Sequence, residues 1–208
     1  MSTFFYIIKM REIVKKGYNE GKYEIFYGRE SKKIDHLEKA LLNELILRIK
    51  GKKILDLGCG TGLPYSYFFV KKGFDLTGLD ISERHIKLAK KNLNNTNFIL
   101  GDFFSNKIKG KYDAIFSAYA IFHIPRNEHL KLFKKMHSLL KKDGLILISL
   151  AVESMKYSIN PDFCGSKMVW SSFNLEKNKK LIKDAGFDII NILEDYRTEK
   201  HMWILAKK

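Results

Sequence analysis

The chain has 208 residues, with 38 Lys and Arg against 23 Asp and Glu, a formal charge of +15 and a hydrophobic share of 45%. Apolar residues are too plentiful for intrinsic disorder, and no segment approaches the roughly 20 apolar residues of a membrane span, so one α/β domain over residues 1–208 is expected, cytoplasmic by default, monomeric or homodimeric. Cys59 and Cys164 lack any CxxC or Cys/His spacing, which excludes a disulfide framework and a zinc site, and no metal is expected.

At the start, Phe4, Phe5, Tyr6, Ile7 and Ile8 form an apolar run too short for a signal peptide, with no basic lead and no small-residue cleavage site. Residues 1–50 are expected to be a helical cover. Within them, Leu37, Leu41, Leu45 and Ile49 recur at fours over a helix from about 30 to 49, which Gly51 ends. A strand follows at 53–57, then a helix at about 62–72, a strand at 74–79, a helix at 83–93, and strands at 97–100 and 112–117. The helix expected at 126–142 places Leu130, Phe133, Met136 and Leu140 on one side and most of its lysines elsewhere. After the Lys-Asp-Gly turn at 142–144, Leu145 to Leu150 is a continuous apolar run that suits a strand buried on both faces. Residues 152–173 have no steady period and read as an inserted lid. A helix at 175–185 ends at Gly186, and strands at 187–194 and 201–206 are too close for a crossover, so they pair antiparallel. The pattern predicts a doubly wound, mostly parallel seven-stranded sheet closed by an antiparallel C-terminal hairpin.

The charge says less than its size implies. Of the basic residues 32 are Lys and 6 are Arg, spread along the whole chain, as on solvated faces. Such a coat still attracts anions, so an anionic acceptor fits and nucleic acid stays open.

The strongest local signal is ILDLGCGTG at 54–62, a buried strand running into Gly58, Gly60 and Gly62. A P-loop needs Lys and then Ser or Thr after its last Gly, where Leu63 and Pro64 stand here. A dinucleotide fingerprint needs Gly where Leu63 stands. Asp56, two residues before the first Gly, suits a cationic ligand better than a pyrophosphate. Taken singly, Asp56 reads as a strand-end cap, Asp80 as part of a helix start and Asp102 as a turn former. Together they fall at the C-terminal ends of successive strands, where open α/β sheets bind ligands.

From residue 51 to 208 the chain resembles the class I S-adenosylmethionine-dependent methyltransferases, whose first motif reads closely like ILDLGCGTG. The resemblance implies the Rossmann-like fold of that family and S-adenosylmethionine as cofactor. It places the methionine end on Asp56, Gly58, Cys59 and Gly60, the ribose hydroxyls on Asp80, and the adenine against Ile81, Asp102 and the Phe103 amide. The SAYAIFHI segment, Ser117 to Ile124, resembles the cofactor and substrate wall of small-molecule methyltransferases. LKKDGLILISL and HMWILAKK resemble the fifth and last strands.

A base is needed only when the acceptor carries a proton at neutral pH. His123, just past the fourth strand, is the catalytic candidate, and it reads equally as a histidine packed at a helix start. Tyr18, Tyr23 and Tyr27 are candidates to cover the site, at a spacing unlike the family's usual one. Tyr18 and Tyr27, with Tyr157, Trp170 and His201, make up the expected substrate wall, and core packing is the competing reading for the residues of the insertion. An Asn/Asp-Pro-Pro-Tyr loop and a Pro-Cys nucleophile are both lacking after the fourth strand, which disfavours DNA amine and cytosine C5 methylation. The function expected is methyl transfer to a small molecule. An RNA methyltransferase using the basic surface, or a protein that binds the cofactor without turnover, are the alternatives.

Overall fold

The computed structural model describes residues 3–196 and 200–208, with side chains from residue 7 onward. Phe4, Phe5 and Tyr6 of the apolar run lie outside the described side chains. Helix α1 (Thr3–Glu20) leads into a single turn, α2 (Tyr23–Phe26), and then α3 (His36–Arg48). Asp35 caps α3 by accepting from the Leu37 amide at 2.8 Å, so this helix starts later than the expected residue 30.

Seven strands form one sheet: β1 (Lys53–Leu57), β2 (Asp75–Asp80), β3 (Asn97–Leu100), β4 (Tyr112–Ser117), β5 (Leu140–Ala151), and, after the hairpin described next, β8 (Asp188–Asp195) and β9 (His201–Lys207). Their spatial order is β3-β2-β1-β4-β5-β9-β8. The first five run parallel, and β9 lies antiparallel between β5 and β8. Helices α4 (Tyr65–Lys71), α5 (Glu83–Asn92), α6 (His129–Leu139) and α7 (Leu175–Asp184) provide the crossovers. Alternate residues of the central strands enter two cores, one on each face: Leu55, Ile115 and Ile146 join one, and Ile54, Ala114 and Leu147 the other. Among the described residues no helix is long and apolar enough to cross a membrane.

Three boundaries differ from the sequence reading. The expected helix at 126–142 begins with a 3-10 turn over Arg126–Glu128 and is α-helical only from His129. β5 starts at Leu140, before the Lys-Asp-Gly turn, because a register shift against β4 absorbs Asp143 in the left-handed region, φ 63°. The expected irregular insertion is a regular hairpin, β6 (Met155–Phe163) and β7 (Ser166–Ser172), turning through Cys164 and Gly165. Its aperiodicity has two sources. The pairing shifts register twice, and only β7 has deeply buried positions, with Met168 and Val169 against Met10, Val14 and Tyr23 of the N-terminal helices.

Candidate active site

A cavity of about 660 Å³ opens at the C-terminal ends of β1, β2, β3 and β4, roofed by α1, α2 and the β6–β7 hairpin. That volume lies within the roughly 300–1,000 Å³ of small-molecule sites. Its floor is the turn after β1. Gly58 and Gly60 have φ of +82° and +54°, and the Gly58 and Cys59 amides both donate to the Leu79 carbonyl, at 2.7 and 3.0 Å. A Cβ on Gly58 would stand 2.5 Å from the Ala120 Cβ, whereas one on Gly60 meets no protein atom within 4 Å and would project into the cavity.

Asp80 ends β2 in the cavity wall. One of its oxygens accepts from the Gly60 amide and the other from the Ser82 amide, each at 2.9 Å. A carboxylate has about four acceptor positions; the two amides and the facing His85 ring take three, which leaves about one for a ligand. Burial pushes its pKa up, but His85 and the two amides win, and the acid is held below the usual carboxylate range. His85 lies 3.6 Å from Asp80 on one side and 3.7 Å from Glu24 on the other. Arg84 also binds Glu24, with both terminal guanidinium nitrogens. Burial pushes the Glu24 carboxyl up, and His85 and Arg84 pull it down further, to about 2.

Next to His85, the Tyr18 side chain leads to His123, its hydroxyl 2.7 Å from His123 Nε2. His123 Nδ1 is 3.0 Å from the Val169 carbonyl, which only accepts, so the ring proton is on Nδ1 and Nε2 accepts from Tyr18. Burial lowers the His123 pKa to about 4, outweighing the Val169 carbonyl, and the ring is neutral. Burial, with Asp80 nearby, holds the Tyr18 proton on well above pH 10. At the far end, the Arg29 guanidinium sits 5.0 Å from the ring centres of Tyr65 and Tyr119, donates to the Tyr65 hydroxyl and pairs with buried Glu38 at 3.4 Å. Six carboxylates (Glu24, Asp35, Glu38, Asp80, Asp102 and Asp195) line the cavity against Arg11, Arg29 and Lys33, a balance opposite to that of the whole chain.

Residues 54–144 match the family model for a methyltransferase domain. The carboxy-S-adenosyl-L-methionine synthase of Nautilia profundicola is 31% identical over 169 residues, 68% of this chain and 71% of that protein. The chain belongs to the S-adenosylmethionine-dependent methyltransferase family. The phosphoethanolamine N-methyltransferase of Plasmodium falciparum is 28% identical over 181 residues, covering 83% of this chain but only 61% of the relative's length. The magnesium protoporphyrin IX methyltransferase of Synechocystis PCC 6803, crystallised with its cofactor, shares the fold at a TM-score of 0.72 and 17% identity, over 96% of this chain and 97% of that one.

The cavity brings together Gly58, Cys59, Gly60, Asp80, Ile81, Asp102 and Phe103 of the expected cofactor contacts, with His123, Tyr18, Tyr27, Trp170 and His201 of the expected catalytic and substrate residues. Three expected residues lie elsewhere. Asp56 is buried behind the turn, accepting from the Ser66 hydroxyl at 2.6 Å, and burial raises its pKa to about 7. Ser117 is buried with its hydroxyl donating to the Leu57 carbonyl at 2.7 Å. Both belong to central strands, where alternate side chains point into the core. Tyr157 packs against the small core under the hairpin. Glu24, Arg29, Glu38 and His85 also line the cavity and carry no sequence signal, being polar groups far apart in the chain that only folding brings together, while Tyr119 falls within the expected Ser117–Ile124 wall. Among the described residues no cluster of His, Cys, Asp and Glu suits a metal ion.

Proposed function

We propose that this protein transfers a methyl group from S-adenosylmethionine to a small acceptor whose nitrogen or oxygen nucleophile carries a proton. The observation that carries this reading is the Tyr18–His123 pair, 2.7 Å apart, on the wall of the same cavity as Asp80 and the glycine turn. The residues fit the cofactor. Asp80 is ionised and keeps acceptor capacity for a ribose hydroxyl beyond its two amides and His85, and the bare Gly60 leaves room beside it. Ile81, Asp102 and Phe103 offer an edge and an apolar face to the adenine. Arg29, one of three cationic side chains in the lining, is a partner for the amino-acid carboxylate in the part of the cavity it shares with Glu38.

When bound, the cofactor supplies a sulfonium methyl open to in-line attack, with a neutral thioether as leaving group. The chain then has two tasks. Holding the acceptor collinear with the methyl is worth about 7–11 kcal/mol in well-oriented systems, and the closed roof of α1, α2 and the hairpin serves that purpose. The second task is the proton. As the new bond forms and the acceptor becomes cationic, its proton passes to Tyr18 Oη while the Tyr18 proton passes to His123 Nε2. With a pKa near 4, His123 is a weak base at rest, so transfer becomes favourable only once the acceptor carries that charge. The name of the Plasmodium falciparum relative, a phosphoethanolamine N-methyltransferase, supports a small acceptor over a polymer.

The test combines calorimetric titration with S-adenosylhomocysteine and transfer of labelled methyl from S-adenosylmethionine into amine, phenol and RNA pools. Binding with label in a small molecule is expected. Absence of binding overturns the reading, and strong RNA labelling that collapses with salt replaces the small acceptor by RNA.

A further inference from the structure

His85 is buried, 5% exposed, and stands between two carboxylates from different parts of the chain, Asp80 at the end of β2 and Glu24 on α2 in the roof. Taking Asp80 as the ribose-gripping acid, which rests on the function proposed above, we infer that His85 is a positioning residue: its imidazolium ties the grip of Asp80 to the closed roof through Glu24, so that cofactor binding and roof closure are coupled.

Every element around the ring serves this role. From α1, the Tyr18 ring lies 5.3 Å away. From α2 comes Glu24, whose other partner is Arg84, the residue before His85. From β2 comes Asp80, and the Ser82 hydroxyl accepts from the His85 amide at 3.1 Å, starting α5. Ser82 also donates to the Asn19 side chain of α1 at 2.9 Å, a second link from this helix start to the roof. Two carboxylates within 4 Å and no cation other than Arg84 among these contacts leave a charged ring well matched to its site. Burial pulls the His85 pKa down, and Asp80 and Glu24 overcome it, raising it to about 9. At 3.6 and 3.7 Å the two contacts are ion-pair separations, and the buried Nε2 has no hydrogen-bond partner, so the attraction to both acids needs the charged ring and a neutral one would loosen the tie.

The test is S-adenosylhomocysteine affinity from about pH 7 to about pH 10, with amide hydrogen exchange of residues 18–27, in the wild type, His85→Gln and Glu24→Gln. The wild type is expected to lose affinity as pH rises through about 9, beyond the loss caused by the ligand's own amine. His85→Gln should bind about tenfold more weakly at pH 7 and lack that extra loss, and Glu24→Gln should move it to lower pH. In both variants ligand should no longer protect residues 18–27 from exchange. Unchanged affinity and protection in His85→Gln overturn the inference while leaving the cofactor site intact. No binding by the wild type overturns the site itself. If His85→Gln does not fold, Glu24→Gln decides alone: an unshifted profile overturns the coupling.

Discussion

Tyr18 donates to His123 across 2.7 Å while the Val169 carbonyl holds the opposite side of the imidazole, so α1, the loop after β4 and strand β7 meet at one ring. Removing the hydroxyl with Tyr18→Phe is expected to lower methyl transfer by about 10²-fold or more, the scale of a lost general acid–base group. Affinity for S-adenosylhomocysteine should change little, since neither group is needed to grip it. Single-turnover rates beside calorimetry check this, and a variant with normal turnover removes the pair from the chemistry. The same change leaves a buried nitrogen unpaired, so a stability loss of about 1–3 kcal/mol should appear in urea denaturation.

Asp80 has both oxygens committed to backbone amides and is held ionised. Asp80→Asn keeps one acceptor oxygen and puts an amide where the other accepted. S-adenosylhomocysteine binding should weaken tenfold to about a hundredfold, the equivalent of one or two charge-assisted hydrogen bonds. Retained affinity in a titration of the folded variant would move the ribose elsewhere.

Gly60 presents open space where a side chain would stand, at φ +54°. Gly60→Ala is expected to cost about 1–2 kcal/mol for the left-handed backbone and to abolish cofactor binding by filling the cavity. A thermal melt and a titration on the same sample separate the two effects. Loss of the fold with no separable loss of binding would argue against a steric role.

Asp56 has its pKa raised to about 7 by burial, against the Ser66 hydroxyl that lowers it and with Asp80 adding to the rise. A carboxyl whose folded pKa lies above its unfolded value contributes stability that is fully present below about pH 4 and fades as pH rises through about 7. Asp56→Asn, which mimics the protonated acid, should therefore gain on the wild type between those limits, by up to about 1.4 kcal/mol per pH unit. Urea midpoints at pH 5 and pH 8 measure it. A variant equally destabilised at both means that Asp56 is ionised in the folded protein.

Alternating apolar runs reveal the sheet because parallel strands buried on both faces leave a strong signal, and ILDLGCGTG marks a turn with three glycines in the left-handed region. The hairpin is illegible because β6 is half-exposed on both sides and Pro161 interrupts it. Asp80, Asp102 and His123 follow strand ends, and the three residues that spacing singles out there line the cavity. Asp56 is misassigned by the same logic, since a strand end carries side chains toward the core as well as toward the ligand. Glu24 and His85 are 61 residues apart and carry no periodic mark, so only the roof folding onto α5 reveals them.

The acid-lined cavity within a lysine-coated protein has a kinetic consequence. S-adenosylmethionine carries a net positive charge at neutral pH, so the +15 surface repels it at long range before the cavity carboxylates attract it at short range. Salt shortens the repulsion first, because exposed charges are screened over about 10 Å at 0.1 M while buried ones are not. Cofactor capture should therefore quicken as ionic strength rises from very low values.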